Sequence, residues 1–443
     1  MKKLLLRLIQ FFKKDNWKSL TTRVVLCLIA FGVVAYFFLS DSFSNVLGFV
    51  ITLLVSSILV DIGKTILSDF EDISKVSCDT EEMFKIYSDE YHQELTLKYK
   101  KGNVEKTTSL DLCYAPVFEN DGSFNLKVND NPDRFFELDP FIEGHFDQLL
   151  SAHGNSTKYN GTTIRLDDFK CVDKECLFTL SRSTVFNHLV TNRAIDFGLQ
   201  DEATIRSIFE YGPLLHPLCQ SKMSNHIGIN AIVFLNDNYL LLPQRKKDST
   251  ISKNKVTSSI ATKLNFPKNS GKIDENFLFY QNIIDNITAR VHIDEKDIPE
   301  DTEITFLGFG QNVYEGGKPQ FYYVVKLPIS AKQYQALSAK RLKDEERHLK
   351  LSKEYMKLSL GQRDDFLKRN NLGADFRPNK KQSLDVDKCI HIAKYDSFIL
   401  KNGKLSFEAL KLSSAKDKPV TYRKTLGFEM SFLCNLWHFE RNK

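Results

Sequence analysis

The stretch 271–293, GKIDENFLFYQNIIDNITARVHI, places apolar residues at Phe277, Tyr280, Ile284, Ile287 and Val291, the spacing of an amphipathic helix. On that helix positions 286, 289 and 290 fall on one face of a single turn. Carboxylates there would share divalent cations, which neutralise a diphosphate and activate water. The residues present are Asn286, Ala289 and Arg290. Asn286 is an uncharged, weak ligand, Ala289 is none, and Arg290 sets a permanent positive charge where a cation would sit. Two like unit charges about 4 Å apart repel by roughly 4 kcal/mol at an effective dielectric near 20, and a divalent ion doubles that. The expectation is recognition without turnover, with no catalytic residue, no metal and no cofactor. Arg290 is the leading candidate, because a guanidinium pairs bidentately with a phosphate.

Further candidates gather around it. Arg245, Lys246 and Lys247, followed by Lys253 and Lys255, cluster in a hairpin and its loop. Phe321, with Tyr322 and Phe309, lies on strands where an aromatic face can stack on a base. The predicted ligand site is therefore Arg290, Arg245, Lys246, Lys247, Asn286 and Phe321. Loop lysines are ordinarily solvated and strand aromatics ordinarily core, and both readings stand beside the functional one. Asp274, Glu275, Asp294 and Glu295 fall beyond the helix ends and read as cap and turn residues.

The elements that must position these residues belong to a chain of 443 residues, enough for two or three domains. Its net charge of +5 is unevenly placed. Residues 1–23 hold Lys2, Lys3, Arg7, Lys13, Lys14, Lys18 and Arg23 against Asp15, a local +6 that leaves −1 for the remainder. A nucleic-acid binder would spread basic charge over a folded face, so direct DNA or RNA binding is not expected. Of the eight cysteines only Cys171 and Cys176 are close, and their spacing completes no zinc site. They read as reduced thiols of a cytosolic domain.

Two runs, 24–39 (VVLCLIAFGVVAYFFL) and 43–60 (FSNVLGFVITLLVSSILV), carry no charge and are each near the length that crosses about 30 Å of hydrocarbon. A cleaved signal peptide would show one such run, not two joined by a tight turn. The sequence thus predicts a two-pass membrane hairpin. The basic arm before it and the uncharged loop within it place both termini in the cytoplasm. Gly48, Thr52 and Ser56 form a stripe of small residues on the second helix, suited to close helix packing, within the hairpin or between copies.

The expected organisation is a basic arm (1–23), the hairpin (24–60), a helical linker (61–110), an α/β segment (111–220), a denser α/β domain (221–330) and a C-terminal extension (331–443). Within 221–330, HIGINAIVFL and YLLLPQR flank Asn236-Asp237-Asn238, a hairpin signal. VTSSIA, ITFLGFG and QFYYVVKL supply further strands, the last two separated by Gly316-Gly317. Ser183 is a plausible cap for the helical stretch STVFNHLVTNRAID. From 331 to about 371 the mixed charges at helical spacing suggest an exposed helix.

This order of strand hairpin, strand, helix and two strands resembles a Nudix domain. With Gly271 on the first glycine of the Nudix box, G-x5-E-x7-R-E-U-x-E-E-x-G-U, Ile287 and Ile293 take the apolar positions. Phe277, Asn286, Ala289 and Arg290 replace the glutamates, Asp285 stands for the arginine and His292 for the second glycine. LLLPQRKK and IATKLN match the flanking strands. The fold implied is two N-terminal transmembrane α-helices plus a cytosolic α/β region, a Nudix-like mixed-sheet sandwich. Hairpin and silent box together resemble the transmembrane Nudix effectors of CBASS, the bacterial cyclic-oligonucleotide antiphage system. The resemblance implies a non-enzymatic, homo-oligomeric receptor in the bacterial inner membrane. It would bind a cyclic di- or trinucleotide made by a partner nucleotidyltransferase and disrupt the lipid bilayer. Two other readings remain: a membrane-tethered Nudix-type nucleotide hydrolase with relocated acidic residues, and an anchored scaffold that binds protein.

Overall fold

The computed structural model describes residues 80–101, 104–153, 159–199, 203–245, 255–267, 271–373, 376–378, 390–401, 404–411, 420–425 and 427–443. The described chain begins with the helix Thr80–Tyr91, which buries Met83 and Tyr87. An antiparallel hairpin follows, β1 (His92–Lys101) and β2 (Val104–Cys113), in unbroken register from His92↔Cys113 to Lys101↔Val104. The helical linker expected over 61–110 is thus corrected from residue 92 onward. Leu95 and Leu97 are buried between exposed Glu94, Thr96 and Lys98, the two-residue period of a strand.

Three strands form a small sheet: β4 (Asn125–Phe135), β5 (Thr162–Val172) and β6 (Glu175–Thr184), with β4 parallel and β5 antiparallel to β6. Cys171 and Cys176 face each other across the β5–β6 turn and form a disulfide, correcting the reduced-thiol expectation. The helix after β6 is capped by Thr184, one residue past the expected Ser183, whose hydroxyl instead bonds Ser224.

The large sheet draws on most of the remaining chain. Its strands are β3 (Ala115–Glu119), β7 (Gly228–Leu235), β8 (Tyr239–Pro243), β9 (Ile260–Lys263), β10 (Glu303–Asn312), β11 (Lys318–Leu327), β12 (Ile390–Lys394), β13 (Ile399–Lys401), β14 (Lys404–Lys411) and β15 (Val420–Thr425). They are ordered β13-β14-β12-β8-β7-β11-β10-β3, with β9 on β7 and β15 on β14. β7 and β11 run parallel at the centre, Gly228–Leu235 against 320–327, while the other strand pairs of this sheet among the described residues are antiparallel. All eight residues of β7 are buried, as expected of a strand covered on both faces.

One face carries Phe118, Phe169, Phe178, Phe306, Phe309 and Phe321, which join the small sheet and the helical stretch 277–291 to the large sheet. The other face is closed by the C-terminal helix Met430–Arg441, which buries Phe432, Leu436 and Trp437 against β1 and the central strands.

The two membrane-crossing helices expected over 24–60, with Gly48, Thr52 and Ser56, lie outside the described residues. Among the described residues no helix is long and apolar enough to cross a membrane. The longest, Ala331–Met356, has 26 residues, but charged side chains recur through it. The fold read from the sequence is corrected accordingly: what the structure describes is a mixed α/β assembly of three sheets. Strands from 111–220 and 331–443 complete the sheet formed by 221–330, so those boundaries do not separate independent sheets.

Candidate functional site

The helical stretch at the centre of the sequence argument opens where Asp274 Oδ1 accepts the Phe277 amide at 2.7 Å, the capping role expected of that acid. Glu275 accepts the Val128 amide at 2.9 Å and so ties the same loop to β4. The helix then alternates: π-helical Phe277–Gln281, α-helical Asn282–Asn286 and π-helical Ile287–Val291. A π turn frees carbonyls from the i→i−4 ladder. Asn282 Nδ2 donates to the carbonyls of Phe277 and Leu278, and Asn286 Nδ2 donates to the Asn282 carbonyl at 2.7 Å.

These turns rotate the helix out of the expected phase. Ile283 is fully buried, whereas Ile284 is half-buried and Tyr280 exposed. Asn286 points inward and Ala289 and Arg290 lie at the surface, so the three positions do not share one face. Arg290 makes no hydrogen bond or ion pair among the described residues. Asn286 is a rung of the helix interior.

The remaining predicted residues are dispersed. Arg245 pairs with Glu429 at 3.3 Å, beside the start of the C-terminal helix. Lys246 and Lys247, with Lys253, lie outside the described residues. Phe321 is wholly buried, with Phe306, Phe309 and Phe178 at 5.4, 5.2 and 5.6 Å between ring centroids, which leaves no face for a base. Phe309 and Tyr322 are likewise core residues.

An open cleft of about 390 Å³ lies instead where the small sheet meets the loop that precedes the helix. It is lined by Pro132, Phe135, Tyr159, Thr162, Arg182 and Phe266. Arg182, on β6, is 3 % exposed and binds Asp130 of β4 through both terminal nitrogens, at 2.6 and 2.8 Å. Its Nη2 also donates to the Gly271 carbonyl at 2.9 Å, and Asp130 accepts the Ile273 amide at 2.7 Å. The pair therefore pins the first residues of 271–293 to the small sheet. The Phe266 ring lies 5.3 Å from the guanidinium carbon, within cation–π reach. At the rim Tyr159 and Phe135 are 73 % and 54 % exposed.

Aromatic rings on several sides, an arginine in the wall and a volume within the usual range for small-molecule sites suit a planar, polar-edged ligand. In the sequence 111–220 reads only as an α/β segment without a site residue, and this cleft is missed there. The available signal was the inward series Cys176, Phe178, Leu180, Arg182, in which an arginine continues an apolar face and must therefore have a buried partner.

No family model matches the chain, and no curated protein matches it.

Proposed function

We propose that this protein is a non-enzymatic receptor for a nucleotide, with the base held among Tyr159, Phe135 and Phe266. The observation that carries the reading is the aromatic cleft, built on the Asp130–Arg182 pair against the Gly271 loop. Two further features support it. The sequence offers Asn286, Ala289 and Arg290 where a metal-dependent hydrolase would present carboxylates. The resemblance to CBASS effectors makes a cyclic di- or trinucleotide from a partner nucleotidyltransferase the first ligand to test.

The test is calorimetric titration of the full-length chain with cyclic dinucleotides, cyclic trinucleotides and single nucleosides, repeated on Tyr159→Ala and Phe135→Ala. Both side chains are exposed, so neither change disturbs the core. Each stacked ring contributes about 1–3 kcal/mol, so each variant should bind about fivefold or more weakly. Unchanged affinity in both variants removes the cleft from the reading. Magnesium-dependent release of phosphate or mononucleotide by the purified chain overturns the receptor role itself.

A further inference from the structure

Beneath the helical turn Val185–His188 lies a second group of polar side chains that the cleft does not use. The rings of His188 and His226 face each other at 3.6 Å between centroids, tilted by 32°. They are 6 % and 8 % exposed, and Thr163 and Asn225 beside them are still more deeply buried. Nδ1 of both histidines, Oγ1 of Thr163 and Nδ2 of Asn225 have no hydrogen-bond partner among the described residues. Buried polar atoms are rarely left so, and four of them together call for a partner that the protein does not supply.

Backbone pairing explains the gathering. Arg165 of β5 bridges His226, and the Ile227 carbonyl accepts from Leu264, just after β9. Thr163 lies two residues from Arg165, and Lys263 is the register partner of Gly228, itself two residues from His226. Alternate strand residues share a face, so Thr163, His226 and Lys263 converge on one side of the sheet. The π turn Leu189–Arg193 covers them and is tied down by Asn192, which bonds Asn225 and the Glu315 carbonyl.

The charged surroundings are cationic in balance. Lys263 is half-buried, makes no hydrogen bond or ion pair among the described residues, and has its ammonium pKa lowered by burial. Lys318 and Arg193 share the single carboxylate of Glu315, at 3.1 and 2.6 Å. Burial, then Lys318, Arg193 and His153, keep His188 neutral, and burial, His188 and Lys318 do the same for His226. Arg165, opposite His226, is paired with Asp167. Beyond that pair three cations face the one carboxylate of Glu315, which acts against them on His226, and two uncharged rings. Among the described residues no group of three or more histidines, cysteines and carboxylates gathers to hold a metal ion.

We propose that Thr163, His188, Asn225, His226 and Lys263 form a binding pocket for a tetrahedral oxyanion, the phosphate group of a nucleotide. The Thr163 hydroxyl, the Asn225 amide, the Lys263 ammonium and the imidazole Nδ1–H groups donate to its oxygens. The anion offsets the neighbouring cations, which add to burial in keeping the rings neutral, so binding draws a proton onto the histidine pair. Thr162, next to Thr163, and Phe266, three residues past Lys263, line the aromatic cleft. A base in the cleft and its phosphate in the pocket then belong to one ligand. That joint arrangement rests on the cleft reading above, while the pocket itself does not.

The experiment titrates the full-length chain with sulfate, a dianion at every pH used, and separately with adenosine, which has a base and no phosphate. Charge-assisted hydrogen bonds of this kind predict sulfate binding about tenfold tighter at pH 6 than at pH 8. Lys263→Gln should weaken sulfate about tenfold and leave adenosine unchanged, and Tyr159→Ala should do the reverse. Thr163→Val, of equal volume, should also weaken sulfate; if it fails to fold, Lys263→Gln carries the test alone. Absence of sulfate binding, an unchanged constant in Lys263→Gln, or affinity independent of pH overturns the pocket. Loss of adenosine binding alone overturns only the cleft.

Discussion

Asp130 and Arg182 illustrate how much one pair of side chains can organise. Their carboxylate and guanidinium exchange two hydrogen bonds in a nearly dry setting and also hold the Gly271 carbonyl and the Ile273 amide. Removing one partner strands the other charge in the interior, so Arg182→Met should cost about 3–5 kcal/mol in a denaturant titration. Asp130→Leu combined with Arg182→Met should cost clearly less than the two single changes together, since no ion is left stranded. The buried histidines give a second expectation at this scale. Burial, then Lys424, lowers the pKa of His391 to about 4, and burial, then Arg441, lowers that of His438 to about 3. An unfolded histidine titrates near 6.5, so between about pH 6.5 and 4 the unfolded chain takes up protons that the folded chain refuses. Stability from these groups is therefore complete above about pH 6.5 and is lost as the pH falls, by up to about 1.4 kcal/mol per pH unit for each histidine. Melting temperature should drop from pH 7 to pH 5, and His391→Asn should flatten that drop; an unchanged slope in the variant would refute the assignment.

At the scale of elements, local turn chemistry was legible and helix phase was not. The β7–β8 hairpin follows from Asn236-Asp237-Asn238, where Asn238 adopts φ 60°, and the β10–β11 turn follows from Gly316 and Gly317, both at positive φ. The stretch 277–291 was recognisable as helical, but its two π turns rotate Asn286 inward and Ala289 and Arg290 outward. No count of apolar spacing reveals a π turn, because the asparagines that sustain it look like ordinary polar positions. Within β10, Gly308 sits at φ 136° beside an irregularity in the pairing with β11, and a Cβ there would strike the Phe118 carbonyl of β3. Gly308→Ala should cost about 1–3 kcal/mol. Amide exchange should quicken in β3 before it does so in β7, and uniform quickening would argue against a local effect.

For the molecule as a whole, one large sheet is assembled from three stretches of sequence whose local patterns read as separate segments. Strand identity could be read within each stretch, but the pairings β12–β8 and β10–β3 join residues far apart in the chain and leave no local trace. The same distance hid the cleft, whose walls come from both sides of residue 220. Phe178, from the small sheet, meets Phe306, Phe309 and Phe321 of the large one. Phe178→Ala should therefore cost about 3–5 kcal/mol and lower a single cooperative transition. Two transitions in place of one would show that the sheets unfold separately.

Because β12 covers the outer side of β8 and β3 that of β10, the middle segment has both of its open edges closed by its neighbours. A clone trimmed to 221–330 would present raw backbone along both flanks and stick to copies of itself, so any attempt to produce this middle segment alone should yield aggregate.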